Sequence, residues 1–268
     1  MMRHRHRSQA LALLCVVNFM VILDAQIVIL ALPSIETELG FAAGDAQWVM
    51  SAYLLAFGGL LLLGGRAGDL LGRRRVFLAG TALFLASSLV CGLAWSGGVL
   101  IAARAVQGLS SALMAPTALA ILMTTFEEGP ERNRALAIWG GTGGLGATGA
   151  LLIGGALTES LGWESIFLLN VPVAAGILAL APRLLEDSRA AAERRAFDVA
   201  GAVTATVALV LLILAVVEAP EAGWGSTQTL ALLAGGAVAL ALFGAAERVA
   251  QQVSIASYGK KLIPLLQV

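Results

Sequence analysis

The chain has 268 residues, of which 59% are apolar and 13% charged, and its formal net charge is zero. A soluble domain carries roughly 45–50% apolar and about 25% charged residues, so this composition excludes an ordinary water-soluble fold and reads as an integral membrane protein. The neutral balance gives no electrostatic reason for a nucleic-acid partner. Cys15 and Cys91 both lie inside apolar runs, which fits neither a disulfide framework nor a metal site.

Residues 1–8 form a basic tail in which His4 and His6 alternate with arginine, a solvated segment and not a metal site. A helix needs about 20 apolar residues to cross a bilayer. Eight stretches qualify: 9–33, 47–65, 76–95, 99–126, 134–158, 165–184, 198–218 and 228–248. Helices satisfy every backbone group within the segment, and β-barrel alternation is missing, so the expectation is an all-α bundle. The first stretch is too long for a signal peptide and has no A-x-A cleavage site. Segment 185–197, "LEDSRAAAERRAF", is the longest polar interval, so it reads as a linker between a six-helix bundle (9–184) and two further helices (198–248). The remaining 249–268 is too short and polar to span and reads as a second tail.

Orientation follows from the basic residues. With the N-terminus in the cytoplasm, every Lys and Arg except Arg104 falls on the cytoplasmic side. The opposite loops, "SIETELGFAAGDAQ", "WSGG", "TESLGWE" and "EAPEAGWGST", carry none, as the positive-inside rule requires. Trp48, Trp95, Trp163 and Trp224 fall at the outer helix ends, where indole rings favour the interface. The expected location is therefore the cytoplasmic membrane, multi-pass, with both termini inside.

Two charges stand within spans. Asp24 sits roughly 13 Å from the predicted outer end of the first span, and Arg104 roughly 7 Å from that of the fourth. Intramembrane charges usually mark ion or substrate pathways. A carboxylate that moves between wet and dry surroundings, or toward and away from Arg104, loads and releases a proton. The fifth span, "WGGTGGLGATGALLIGGAL", sets Gly140 and Gly144 four apart, and likewise Gly146, Ala150 and Gly154, a spacing that lets helices approach closely. Its glycine density also suits a helix that slides or bends. Pro116 invites a kink in the fourth span. No H-E-x-x-H, Walker loop or G-x-S-x-G is present, so the chain is not read as an enzyme.

These residues together resemble the major facilitator superfamily. "GGRAGDLLGRRR" is similar to its loop motif between helices 2 and 3, matching at Gly65, Asp69, Gly72, Arg73 and Arg74. "RAVQG" resembles the helix 4 motif R-x-x-Q-G at Arg104, Gln107 and Gly108. "LDAQIVILALPSI", "QWVMSAYLLAF" and "GWESIFLLNVP" look like the signatures of the drug:proton antiporters with fourteen helices. The resemblance implies a six-helix N-terminal bundle plus two extra transmembrane helices, with the C-terminal bundle not encoded in this chain. It implies proton-coupled export of small molecules of multidrug or antibiotic type, with protons as the coupling ion and neither cofactor nor metal. Asp24 and Arg104 would couple protons, and the Asp69 loop would be half of a cytoplasmic gate. The helix 5 motif maps onto Gly140, Gly144, Gly146, Gly149, Gly154 and Gly155, with Ala150 in place of the usual proline. The cavity would be lined by Asn18, Met20, Asp24 and Gln47. The implied partners are the lipid bilayer, a small-molecule substrate, and a separate C-terminal half or a second copy. The alternatives are a transport-inactive truncated product and a membrane scaffold or sensor.

Overall fold

In the computed structural model the described residues are 2–42, 45–186 and 199–262, with side chains described for 6–42, 45–186, 201 and 203–244. The linker expected at 185–197 lies outside them from residue 187, as does the tail from 263. The side chains of Arg3, Arg5, Arg248, Lys260 and Lys261 also lie outside.

The helices run α1 (Met2–Leu39), α2 (Trp48–Leu71), α3 (Arg73–Gly92), α4 (Gly97–Thr125), α5 (Pro130–Leu161), α6 (Glu164–Leu168), α7 (Asn170–Leu184), α8 (Val199–Ala222) and α9 (Thr227–Leu262). A 3-10 turn at Asp45–Gln47 leads into α2. Among the described residues eight segments are long and apolar enough to cross a membrane, with α6 and α7 together forming the sixth, Glu164–Leu184. The count agrees with the sequence reading, but several ends do not. Helix α1 runs past its apolar stretch to Leu39, and α9 continues to Leu262, well beyond its span of Thr227–Gly244. Polar residues such as Glu36 and Glu38 extend a helix readily once the span has nucleated it.

Local chemistry sets the breaks. Gly72, Gly129 and Gly162 have φ of +99°, +117° and +83°, and each separates two helices. Pro130 opens α5 directly after Gly129, where a missing N–H costs the helix nothing. Ser96 caps α4 by accepting a hydrogen bond from the Val99 N–H at 3.3 Å.

The chain divides into two units, Met1–Glu193 and Arg194–Val268. In the first, α4 is flanked by α2 and α3, α1 packs on α5, and α7 packs on α3 and α1. Two apolar clusters fill this bundle. One, towards the arginine-bearing helix ends, includes Leu14, Phe77, Phe84 and Met114. The other, towards the opposite ends, includes Ile27, Val49, Leu100, Trp163 and Phe167. In the second unit α8 and α9 pack as a hairpin along small residues, with Ala208, Ala215 and Ala219 fully buried and Gly236 facing Leu212.

Trp163 corrects the sequence expectation. It is 2% exposed, with its indole N–H donating to the Glu38 carboxylate at 3.0 Å, so it belongs to the core and not to an interfacial belt. Trp95 and Trp224 are exposed.

Candidate functional site

Between the two apolar clusters lies a polar layer. Helices α1, α2, α3, α4 and α7 each contribute a polar side chain to it. These are Asp24 on α1, Tyr53 on α2, Ser88 on α3, Arg104 and Gln107 on α4, and Asn170 on α7, all of them buried. Buried polar groups must satisfy one another, and these do so closely.

Asp24 and Arg104 form an ion pair at 2.7 Å between Oδ2 and Nη1, with both side chains fully buried. The other carboxylate oxygen, Oδ1, accepts from the Gln107 amide at 2.9 Å and from the Asn170 amide at 2.7 Å. Arg104 also donates from Nη1 to Gln107 Oε1 at 2.8 Å and from Nε to the Val49 carbonyl at 3.1 Å. Gln107 donates to Ser88 Oγ at 2.9 Å and accepts from the Cys91 thiol at 3.5 Å. Among the described residues the Arg104 Nη2 has no hydrogen-bond partner. The guanidinium instead meets aromatic faces: its Cζ is 4.2 Å from the Tyr53 ring centroid and 5.6 Å from that of Phe167. Cations are attracted to such faces, most strongly where water is excluded. Tyr53 is held in turn by its hydroxyl on Ser111 Oγ at 3.0 Å. Arg104 therefore turns inward and does not snorkel.

The candidate cavity residues separate. Asp24 is in the ion pair. Met20 is 2% exposed in the apolar cluster with Leu14 and Phe84, so in this conformation it belongs to the core. It lies one helical turn from Asp24 on the α1 face that the bundle closes over. Asn18 donates to the Trp139 carbonyl at 2.8 Å and to Thr142 Oγ1 at 3.4 Å, joining α1 to α5. Gln47 is half-buried in the 3-10 turn. Asn170, Tyr53 and Ser88 were not singled out from the sequence. Neutral polar residues in apolar spans carry little signal alone, and only the isolated acid and base stand out.

The glycines of α5 divide by face. An added Cβ at Gly146 would lie 2.8 Å from the Phe19 carbonyl oxygen, at Gly154 2.8 Å from Ile27, and at Gly149 3.3 Å from Phe19. Gly143 also faces α1, at 2.8 Å from Ile22. An added Cβ at Gly140, Gly144 or Gly155 meets nothing within 4 Å among the described residues. The Gly140–Gly144 pair is thus not the close-approach stripe that its spacing suggested. The close approach is made by the other row at that spacing, Gly146, Ala150 and Gly154, extended by Gly143 on the α1 face.

At the α2–α3 turn, Arg73 pairs with Asp69 at 3.1 Å and reaches the Ala120 carbonyl of α4 at 3.3 Å. Arg74 donates to the Leu185 carbonyl at 3.2 Å. Gly68 packs against Thr117, while Gly65 is only in van der Waals range of Pro116, at 3.7 Å. Gly72, at φ +99°, is the position a side chain cannot readily occupy. Gly72→Ala is expected to lower stability by about 1–2 kcal/mol through backbone strain, whereas Gly65→Ala is close to neutral. Thermal unfolding of the detergent-solubilised chain checks this, and equal losses for the two variants would contradict it.

The fold and site define a multi-pass helical membrane protein built around an internal ion pair. The chain belongs to the Major Facilitator Superfamily, whose profile matches residues 14–258. It is 46% identical to the cephamycin export protein CmcT of Amycolatopsis lactamdurans over 88% of this chain and 49% of that protein. It is 42% identical to the puromycin resistance protein pur8 of Streptomyces alboniger over 90% of this chain and 48% of that one. It is 39% identical to the tetracenomycin C resistance and export protein of Streptomyces glaucescens, over 84% and 41%. The chain spans about half the length of the curated relatives it matches. Among solved structures, the peptide transporter POT in complex with sulfate matches with TM-score 0.60 at 20% identity, over 83% of this chain and 48% of that one. A bacterial homolog of the human lysosomal transporter Spinster matches with TM-score 0.55 at 20% identity, over 87% and 60%. At these identities the likeness is one of fold.

Proposed function

We propose that this protein works in proton-coupled export of small molecules, of multidrug or antibiotic type, across the cytoplasmic membrane, as one of the drug:proton antiporters with fourteen helices. The observation that carries this reading is the fully buried Asp24–Arg104 pair. Charge held at membrane depth is costly and persists where it carries ions or substrate. Here the carboxylate binds the coupling proton, whose arrival removes the charge that Arg104 pairs with. A membrane potential of about 100 mV supplies about 2.3 kcal/mol per charge moved, enough to bias a two-state transporter. The relatives named for cephamycin and tetracenomycin C export support small antibiotic-type substrates.

The distribution of Lys and Arg supports placing the N-terminus inside. Asp69, with Gly65, Gly72, Arg73 and Arg74, serves as half of the cytoplasmic gate. The exposed face of α5, with Gly140, Gly144 and Leu152 (73% exposed), supports a partner there, either a separate C-terminal half or a second copy. A transport-inactive product is the second reading. It is favoured by Ala150, fully buried where the family motif has proline.

The test is proton-driven ethidium efflux from cells expressing the chain, beside Asp24→Asn at matched membrane levels. Efflux that an uncoupler or Asp24→Asn abolishes is the expected result. Efflux unaffected by Asp24→Asn would remove Asp24 from the mechanism, and no efflux at good expression would favour the inactive product.

A further inference from the structure

The two sides of the ion pair are touched by one short piece of chain. Phe167, on α6, lies over Arg104, and Asn170, at the start of α7, donates to Asp24 Oδ1 at 2.7 Å. The two residues are three apart, so they share a helix face. Between them the helix is interrupted at Leu169, which nonetheless keeps helical dihedrals, φ −56° and ψ −35°. Pro172 explains the interruption: it has no N–H to give the Leu168 carbonyl, so one backbone hydrogen bond is missing at this joint. Such positions are where helices hinge.

We propose that Asn170 is a positioning residue that couples the protonation of Asp24 to this α6–α7 joint. The inference rests on the reading of Asp24 as the proton carrier. The carboxylate accepts from three N–H groups and is offered no acceptor in return. Oδ1 already accepts from both Gln107 and Asn170, so a proton arriving on that oxygen must displace a donor. Arg104 is anchored by Val49, Gln107 and the Tyr53 ring, and Gln107 by Ser88, Arg104 and Cys91. The Asn170 amide has no second tie of that kind among the hydrogen bonds of the cluster, and it sits where the helix ladder is already short of one bond. It is the donor that yields. The titratable and charged groups that face Asp24 are Arg104 from α4, Tyr53 from α2 and Cys91 from α3, while α7 presents the uncharged Asn170. Release of Asn170 frees the joint to bend and loosens Phe167 from Arg104.

The test is hydrogen–deuterium exchange of the amides from Phe167 to Val173, in the full chain in lipid nanodiscs. It compares mildly acidic with mildly alkaline conditions after correction for the intrinsic pH dependence of exchange. In the unmodified chain acid is expected to speed exchange at the joint about tenfold or more, the range of one hydrogen bond to a charged group. Asp24→Asn is expected to exchange at the same rate in both conditions. Asn170→Leu, and the smaller Asn170→Ser should the first fail to fold, are expected to lose the acid response although Asp24 is intact. A merely structural Asn170 would lower protection but leave the acid-to-alkaline ratio unchanged. An acid response that survives in the Asn170 variants but disappears in Asp24→Asn overturns this inference alone. A response that survives in Asp24→Asn, or a joint without any response in the unmodified chain, overturns the reading of Asp24 as well.

Discussion

Arg104→Ala is expected to lower the unfolding free energy by about 3–5 kcal/mol, because it leaves the Asp24 carboxylate buried without its countercharge. That is a large part of the roughly 5–15 kcal/mol by which folded proteins usually exceed their unfolded states. Four further contacts go with the guanidinium: the Val49 carbonyl, Gln107 Oε1 and the Tyr53 and Phe167 ring faces. Arg104→Lys keeps the charge but cannot reach Val49, Asp24 and Gln107 at once, nor stack as a plane between two rings, so an intermediate loss is expected. The informative variant removes both charges. Asp24→Asn combined with Arg104→Met leaves a neutral layer in which the amide introduced on α1 can still pair with Gln107 and Asn170. It is expected to recover more than half of the loss seen with Arg104→Ala. Thermal unfolding of purified variants in detergent checks the series. A double variant no more stable than Arg104→Ala would show that the penalty is lost packing and not an unpaired charge.

The ion pair also shows what is legible in a membrane sequence. The number of spans follows from apolar runs of a fixed minimum length, a one-dimensional property, and all eight were readable. Asp24 and Arg104 were readable as isolated charges in hydrocarbon. Their contact was not, because it depends on the register of α1 against α4, 80 residues apart. Depths counted from predicted helix ends set the two roughly 6 Å apart. Those ends are unequal guides, since α1 continues to Leu39 on polar residues that no apolar count includes.

The same limit explains Asn170 and Tyr53. Each is one neutral polar residue in an apolar span, and each becomes informative only when the neighbour it meets is known. It explains Met20 as well, which a helix-position guess assigns to a cavity and the packed bundle assigns to its core. In α5 the spacing marked two rows, and only one of them packs closely on α1. A helix so rich in glycine offers the four-residue spacing on several faces at once, and composition does not say which face another helix covers. Only the contacts with Phe19, Ile22 and Ile27 select Gly143, Gly146 and Gly154 over Gly140 and Gly144.

Gly108 allows the second large effect to be set against a control. A Cβ at Gly108 would lie 2.3 Å from the Tyr53 carbonyl oxygen and 3.0 Å from the Ala56 Cβ. On the facing helix, a Cβ at Gly64 would lie 2.0 Å from the Ala112 carbonyl oxygen. Helices α2 and α4 thus meet backbone to backbone at two levels, and the obstructing atoms belong to main chain that cannot rotate away. Gly108→Ala is expected to cost about 1–3 kcal/mol by overpacking. Its consequence reaches the site, because the displaced segment carries Tyr53 and, one turn earlier, the Val49 carbonyl that accepts from Arg104. The glycine of the R-x-x-Q-G motif sets the α2–α4 spacing at which the guanidinium meets both. Gly140→Ala adds its methyl where nothing lies within 4 Å, so it is expected to be neutral or to stabilise by up to about 1 kcal/mol through helix propensity. Melting temperatures of the two variants in the same detergent separate these outcomes. If Gly108→Ala melts with Gly140→Ala and the unmodified chain, the close approach of α2 and α4 is not what holds Arg104 in place.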